Sequence, residues 1–134
     1  KNGKGWYDYP EGGKKMLWSG IADMFPSTDD QPDVEAVKER LLYRQLIECA
    51  RCYEEGVLET PEDGDIGAIF GWGFAPYTGG PFAHMDTVGI AHVVAVLDRL
   101  RAAHSDRFAA TEQLRAMAAT GATFYNPVSD RAAA

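Results

Sequence analysis

Apolar residues recur at helical spacing in several stretches of the chain, and the longest runs from about Asp33 to Glu55. Its apolar positions fall three or four residues apart and charged residues occupy the other side, which is typical of a helix with one buried face. The apolar positions are Leu42, Leu46, Cys49, Ala50 and Tyr53. Asp33 can cap this helix and Gly56 can end it. At ~1.5 Å per residue it spans roughly 33 Å, so we expect the rest of the chain to pack around it.

A second helix is predicted to begin at Thr60 and Pro61. Threonine is a good N-cap, proline is tolerated at the first helical position, and the acids Glu62 and Asp63 complement the positive end of the helix dipole. We expect its buried stripe to consist of Ile66, Ile69 and Phe70. The helix should stop within the glycine-rich segment from Gly71 to Gly80.

One short helical turn and two further main helices follow. Pro81 can open a short turn of helix through Met85, and apolar residues then repeat at helical spacing from about Gly89 to His104. These residues are Ile90, Val93, Val94, Leu97 and Leu100. Thr111 caps a last helix, which carries Leu114, Met117 and Ala118 and ends at Gly121. Four main helices, a connecting loop rich in glycine and aromatic residues, and no convincing sheet predict an all-α domain.

The chain before Asp33 has a less regular pattern. Tyr7 and Tyr9 alternate with a polar residue, which permits a short strand or an extended arm within residues 1–9. The segment 10–13 is a turn. From Lys14 to Pro32 we expect a loop that tucks its apolar side chains onto a neighbour and lies across a helix.

These patterns divide the chain into three parts. Residues 1–32 form an extended arm and loop, residues 33–125 the helical domain, and residues 126–134 a frayed tail ending in alanines. Because the chain begins without Met, at Lys1-Asn2-Gly3-Lys4-Gly5, in what reads as the middle of a turn, we expect it to be a fragment of a longer protein.

Composition limits the functional classes. The chain has 134 residues, 46% of them hydrophobic and 25% charged, which suits one globular domain. No apolar run approaches the ~20 residues of a membrane span, so we expect no such span. A formal net charge of -7 argues against a nucleic-acid partner. Two cysteines and no signal peptide favour the cytoplasm.

Glycines and aromatics are concentrated between Asp65 and Asp86. The run from Gly71 to Pro76 starts like a dinucleotide-binding fingerprint, but proline replaces the third glycine and a helix precedes it, so we reject nucleotide binding there. Its aromatics would exceed what a monomer leaves in water, so we expect them to be covered, as part of an interface. They are Trp72, Phe74, Tyr77 and Phe82.

Other reactive residues do not form a recognisable catalytic set. Cys49 and Cys52 have the spacing of a redox or half-zinc motif but lie in a helix, so we expect Cys49 in the core and Cys52 half exposed. His84, His92 and His104 have no metal-site spacing. Asp86 could form an acid–base pair with His84 if another element supplied a substrate, but we expect it to cap the following helix. We assign no catalytic, cofactor-binding or metal-ligating residue.

Several motifs together carry a family resemblance. The stretches Arg40–Val57 and Asp65–Gly89, with the opening Lys1–Tyr9, closely resemble the C-terminal domain of 3-hydroxyacyl-CoA dehydrogenases. The Gly-Gly-Pro loop and the closing Thr123–Tyr125 resemble the last C-terminal repeat of the multifunctional fatty-acid oxidation α-subunits, which join an enoyl-CoA hydratase to the dehydrogenase. The resemblance implies a helical domain of the 6-phosphogluconate dehydrogenase C-terminal-like type.

The resemblance also implies where the chemistry lies. In this family an upstream Rossmann domain binds NAD and supplies a His/Glu pair, and an asparagine before an arginine on the first helix of the substrate domain helps to hold the substrate carbonyl. Here Glu39 stands before Arg40 at the matching place, so that carboxamide is missing. The parent enzyme would oxidise a 3-hydroxyacyl-CoA with NAD⁺, and the isolated fragment would be inactive.

By the same resemblance, this chain would support the substrate cleft and pack against the preceding repeat. The loop implied in this role contains Trp72, Phe74, Tyr77, Gly79, Gly80, Pro81 and Phe82. Expected partners are the preceding C-terminal repeat and the Rossmann domain of the same parent chain, the acyl-CoA substrate and the thiolase β-subunit, and the fragment itself could self-associate. The alternative is a helical assembly module that contacts no acyl-CoA.

Overall fold

A computed structural model describes residues 5–126 of the chain. They belong to two compact units, with the boundary between Asp33 and Val34. The first four residues of the predicted arm lie outside the described residues, and so does the predicted tail from residue 127 onward.

The first unit contains a two-stranded antiparallel hairpin. Strand β1 is Tyr7–Asp8 and strand β2 is Met16–Leu17, with Tyr7 opposite Leu17. The turn between them is closed by the Gly13 amide, which donates to the carbonyl three residues earlier at 3.0 Å. The strand permitted within residues 1–9 and the turn at 10–13 are therefore both present.

The segment expected to be a loop is partly regular. After β2 it contains one short helix, α1, at Ile21–Met24. Several apolar side chains of the segment are exposed, among them Met24 and Phe25. Its placement across a helix of the second unit stays a prediction.

The second unit is helical, which confirms the predicted all-α class. Its helices are α2 (Val34–Glu54), α3 (Pro61–Trp72), α4 (Pro81–Val88), α5 (Ile90–Ala103) and α6 (Glu112–Thr120), with 3-10 turns at Pro76–Thr78 and Asp106–Phe108. The four main helices begin and end within a few residues of the predicted positions. Helix α4 is longer than predicted, because it continues to Val88 instead of stopping at Met85.

Capping residues account for several of these boundaries. The hydroxyls of Thr60 and Thr111 each accept a hydrogen bond at 3.1 Å from an amide in the first turn of their helix, as expected of threonine N-caps. Gly121, at φ +74°, closes α6 in the left-handed conformation that glycine adopts without strain.

The core of the helical unit lies between α2, α4, α5 and α6. The fully buried side chains with the largest volumes are Leu46, Ile47, Phe82, Met85, Val93, Leu97 and Leu114. The predicted α5 stripe is confirmed, with only Val94 partly exposed. Phe82 makes edge-to-face contacts with Tyr53 and Phe124, with ring centroids 5.7 Å and 4.8 Å apart, a geometry favoured by the ring quadrupoles.

The predicted buried stripe of α3 is wrong. Ile66 and Phe70 are exposed and Ile69 is only half buried. The buried face consists of Pro61, Gly64, Asp65 and Ala68. A methyl group on Gly64 would collide with the Phe82 ring, so only a residue without a side chain lets α3 approach α4 this closely. Close packing of the two helices therefore overrides hydrophobicity in setting the rotation of α3.

Candidate functional site

The seven loop residues implied in an interface fall into two groups. Phe74, Gly80, Pro81 and Phe82 are buried within the helical unit. Trp72, Tyr77 and Gly79 are exposed, Tyr77 to 91%. Phe74 and Phe82 are therefore covered by their own unit and present no area to a partner. An interface role stays a prediction, and only the exposed residues could serve it directly.

A larger apolar surface lies on the outer side of α3, and we call it the α3 surface: Ile66, Gly67, Phe70, Gly71 and Trp72. Ile66 is 58% exposed and Phe70 is 85% exposed, and their i, i+4 spacing places them side by side. In the described part of the chain, no heavy atom outside the local helix backbone lies within 4 Å of where a Cβ would stand on Gly67 or Gly71. The fold of this unit thus gives no packing reason for two glycines that each cost about 1 kcal/mol relative to alanine in a helix.

A groove of about 700 Å³ runs between α2 and α3 beside this surface. Its α2 wall contains Gln45, Cys49 and Cys52, and its α3 wall contains Gly64, Gly67, Ala68, Gly71 and Trp72. The Trp72 indole N–H donates to the side-chain oxygen of Gln45 at 3.2 Å. Because Gly67, Gly71 and Trp72 belong to both features, the groove and the α3 surface form one continuous, largely apolar region.

The two cysteines beside the groove occupy the predicted environments. Cys49 is buried and Cys52 is half buried, and both are free thiols. Burial raises the pKa of the Cys49 thiol to about 12, so it is protonated at neutral pH. A protonated thiol is a poor nucleophile and a poor metal ligand. Cys49 therefore fills the core.

Asp65 is a buried carboxylate with three hydrogen-bond donors. From α3 it accepts the backbone amides of Phe82 at 2.7 Å and Ala83 at 3.0 Å, and the Tyr125 hydroxyl at 2.8 Å. The two amides are at the second and third positions of α4, whose N-cap is Gly80, a residue without a side chain to cap them. Asp65 thus caps α4 from another helix, where the dipole favours a negative charge.

Asp86 does not cap the following helix, so that prediction is wrong. Helix α5 has Gly89 at its N-cap, while the Asp86 carboxylate accepts the amides of Phe124 at 2.9 Å and Tyr125 at 3.0 Å. The reason is tertiary: the C-terminal segment folds back over α4 and supplies backbone donors. His84, the suggested partner of Asp86, is half buried, and burial lowers the pKa of its imidazole.

The C-terminal segment is held by its side chains as well. The Phe124 ring lies edge-on to Phe82 and to Tyr53, the latter at 5.9 Å. Burial and the hydrogen bond to the Asp65 carboxylate both raise the pKa of the Tyr125 phenol. Tyr125 is consequently a protonated donor over the whole physiological range.

Glu39, the position where the chain departs from the expected Asn-Arg pair, lies on α2 with the matching Arg40. The Glu39 carboxylate pairs with Arg99 of α5 at 2.7 Å, while Arg40 is exposed. Glu39 is thus used in joining two helices.

Within residues 5–126 there is no group of three or more His, Cys, Asp or Glu placed to hold a metal ion. Nor does any helix in that range combine the length and apolar character needed to cross a bilayer.

Asp65 is the residue that sequence reasoning missed. It stands next to Gly64 and between Pro61 and Ala68, at the 1, 4, 5, 8 spacing of a helix face made of small residues. An aspartate in such a face is a candidate for a buried acceptor, because a close helix contact leaves room for a short polar side chain and demands that it be paired.

The sequence of this chain is similar to part of longer known proteins. No protein-family model matches the chain. The chain is 45% identical over 129 residues to the fatty acid oxidation complex subunit alpha of Shewanella loihica, and 44% identical over 131 residues to that of Shewanella amazonensis. The chain resembles part of the fatty acid oxidation complex subunit alpha. The subunit of Shewanella oneidensis is 42% identical over 129 residues.

The alignment with each of these alpha subunits takes in 93% of this chain but only 18% of the relative. The resemblance inferred from the motifs is thereby confirmed. The chain spans less than a fifth of the length of the curated relatives that it matches, so their remaining sequence has no counterpart in it.

Proposed function

We propose that this chain is the helical C-terminal part of an NAD-dependent 3-hydroxyacyl-CoA dehydrogenase in a fatty acid oxidation complex alpha subunit. There it packs on the preceding helical repeat through the α3 surface and so supports the substrate cleft. The observation that carries the proposal is 45% identity to such a subunit across 93% of the chain. The exposed α3 surface supplies the means of packing.

The α3 surface suits contact with another domain. Fully burying one Phe side chain contributes roughly 1.5–3 kcal/mol, and Phe70, Trp72 and Tyr77 are the most prominent exposed aromatics of this region. Gly67 and Gly71 let a second helix approach the α3 backbone closely. A contact of this kind gains stability from area and shape and needs no charged partner.

The glycine-rich run at the end of α3 does not fit NAD. The Gly71-Trp72-Gly73 run lies at the C-terminal end of α3, where the helix dipole is negative and the free backbone groups are carbonyls. A pyrophosphate binds at the opposite end of a helix, where amides point outward. The proposal therefore places NAD in a Rossmann domain elsewhere in the parent chain and derives no chemical step from residues 5–126.

The role left to this chain is positioning. Oxidation of a 3-hydroxyacyl-CoA to a 3-ketoacyl-CoA needs the substrate held against the nicotinamide, and a displacement of about 1 Å can cost on the order of a hundredfold in rate. A domain that buttresses the cleft affects the rate through this distance. The expected signature of its disruption is a lower kcat for the dehydrogenase step while other activities of the subunit persist.

The test uses the parent alpha subunit with Phe70→Asp, which puts a charge in the proposed contact. We expect NAD-dependent oxidation of a 3-hydroxyacyl-CoA to slow by about tenfold or more, because a charge in a dry interface forces the surfaces apart. Val34→Asp, which puts the same charge at an exposed apolar position at the start of α2, is the matched control. Hydratase activity of the same preparation reports that the rest of the subunit is intact. An unchanged dehydrogenase rate in Phe70→Asp contradicts the proposal.

A second candidate function is an assembly module that touches no acyl-CoA. The apolar, uncharged character of the α3 surface is compatible with it. Tyr77→Ala distinguishes the two candidate functions, because Tyr77 is exposed and the loss of its side chain leaves the core intact. The cleft role predicts a kinetic defect at normal mass, whereas the assembly role predicts a changed oligomer mass in sedimentation at normal turnover. The chain alone, given NADH and acetoacetyl-CoA, should cause no loss of absorbance at the reduced-cofactor band.

A further inference from the structure

The segment 123–126 is fastened to two helices by a set of contacts that has no assigned role. Two carboxylates accept hydrogen bonds from it. Asp86 of α4 accepts the backbone amides of Phe124 and Tyr125, and Asp65 of α3 accepts the hydroxyl of Tyr125. The Phe124 ring packs into the aromatic cluster with Phe82. We call Asp65, Asp86, Phe124 and Tyr125 the clasp.

We propose that the clasp couples docking of the C-terminal segment to the conformation of the Gly79–Gly80 turn and the first turn of α4. In this role Tyr125 is a positioning residue that acts through Asp65. The inference concerns the described chain alone and does not depend on the proposed enzymatic function.

The C-terminal segment and the first turn of α4 share one carboxylate, that of Asp65. One oxygen of Asp65 accepts the Phe82 amide, and the other accepts both the Ala83 amide and the Tyr125 hydroxyl. Tyr125 and the first turn of α4 are thus linked by two hydrogen bonds that meet at one carboxylate oxygen. A shift of the carboxylate on loss of Tyr125 changes both amide hydrogen bonds.

Asp65 also lies against the Gly79–Gly80 turn. Gly80 has φ +112°, and a Cβ there would collide with the Asp65 side chain. Gly79, at φ +84°, is in the left-handed region as well. Asp65 therefore bounds the space that the turn can occupy, and the exposed Tyr77 lies in the 3-10 turn immediately before it.

Burial makes the charge of Asp65 costly unless hydrogen bonds compensate it. Asp65 is 3% exposed, and a buried carboxylate is tolerated only when its oxygens are paired. Withdrawal of the Tyr125 hydroxyl removes one of the three hydrogen bonds to this buried charge and leaves each carboxylate oxygen with a single amide donor. The first turn of α4 should then open locally more often.

The test is amide hydrogen exchange in the 134-residue chain with Tyr125→Phe, which removes only the hydroxyl. We expect exchange at Phe82 and Ala83 to rise about fivefold or more, because hydrogen bonds to charged groups are the stronger ones. Exchange at Leu97, in the middle of α5, should not change. Tyr77→Phe is the matched control, since that hydroxyl belongs to a 91% exposed side chain, and it should leave every rate unchanged.

Two exchange patterns would overturn the proposed coupling. Unchanged exchange at Phe82 and Ala83 overturns the coupling, and so does an equal rise in all helices, which would mean global loss of stability. A second measurement uses the Asp65→Asn variant, which keeps an acceptor oxygen but removes the charge. Coupling through the carboxylate predicts that adding Tyr125→Phe raises exchange at Phe82 and Ala83 less in this variant than in the unsubstituted chain, whereas an equal rise in both backgrounds overturns it.

Discussion

Two alanine substitutions on α3 test the rotation of that helix, on which the exposed surface depends. Gly64 faces α4 and Gly67 faces outward, one turn apart on the same helix. Replacing either by alanine makes the same covalent change and gives the same gain in helix propensity, about 1 kcal/mol. Any difference between the variants therefore reports their surroundings.

The surroundings differ sharply. The added methyl at position 64 meets the Phe82 ring, which is fully buried between Tyr53 and Phe124 and cannot move aside. Overpacking of this kind costs typically 1–3 kcal/mol, and the rigid setting favours the upper end. After the propensity gain, Gly64→Ala should lower the free energy of unfolding by about 2 kcal/mol. Gly67→Ala meets no neighbour among the described residues and should raise it by about 1 kcal/mol.

Urea unfolding of the 134-residue chain, followed by far-ultraviolet circular dichroism, measures both values. With a dependence of about 1–3 kcal/mol per molar urea, the midpoints of the two variants should differ by roughly 1–3 M, the unsubstituted chain lying between them. If Gly67→Ala destabilises the chain while Gly64→Ala does not, the large apolar residues of α3 face inward after all, and the reasoning from the α3 surface fails.

Two further predictions concern ionisable groups. Burial raises the pKa of Glu48, but hydrogen bonds from Arg44 and Arg51 outweigh it and leave the pKa below the usual 4.5. The stabilisation by ionised Glu48 is present above the unfolded pKa and is lost as the pH falls through the lower folded pKa. The difference in the free energy of unfolding between the chain and Glu48→Gln, measured by urea unfolding, should therefore shrink on acidification. A difference that stays constant with pH contradicts this prediction. Cys49, with a pKa of about 12, should resist iodoacetamide at pH 8 in the folded chain, whereas the half-buried Cys52 should react first. Peptide mass spectrometry measures the modification of each cysteine. Faster modification of Cys49 than of Cys52 contradicts the assigned burial.

Local signals in the sequence predicted the helices well. Thr60, Thr111 and Gly121 specify helix ends through hydrogen bonds and backbone angles within one turn, so their meaning does not depend on the rest of the fold. The α5 stripe was also readable, because its inward positions are the large aliphatic ones that hydrophobic periodicity detects.

The failures have a common physical cause, namely contacts between residues distant in sequence. The rotation of α3 follows from a close approach to Phe82, and the roles of Asp65 and Asp86 follow from donors up to 60 residues away. Periodicity assigns the bulky Ile66 and Phe70 to the core and has no means of recognising that small residues can form the buried face. The same limit applies to the burial of Phe74, which follows from contacts within the helical unit that periodicity does not detect.

The central claim is that the α3 surface contacts another part of the parent alpha subunit, and hydroxyl-radical footprinting tests it without any substitution. Oxidation of Phe70 and Trp72 is measured by mass spectrometry in the 134-residue chain and in the parent subunit, with exposed His92 of α5 as the internal reference. The account predicts rapid oxidation of both aromatics in the chain alone and at least about tenfold protection in the subunit, since a dry contact excludes the reagent. Equal oxidation in the two samples, relative to His92, contradicts it.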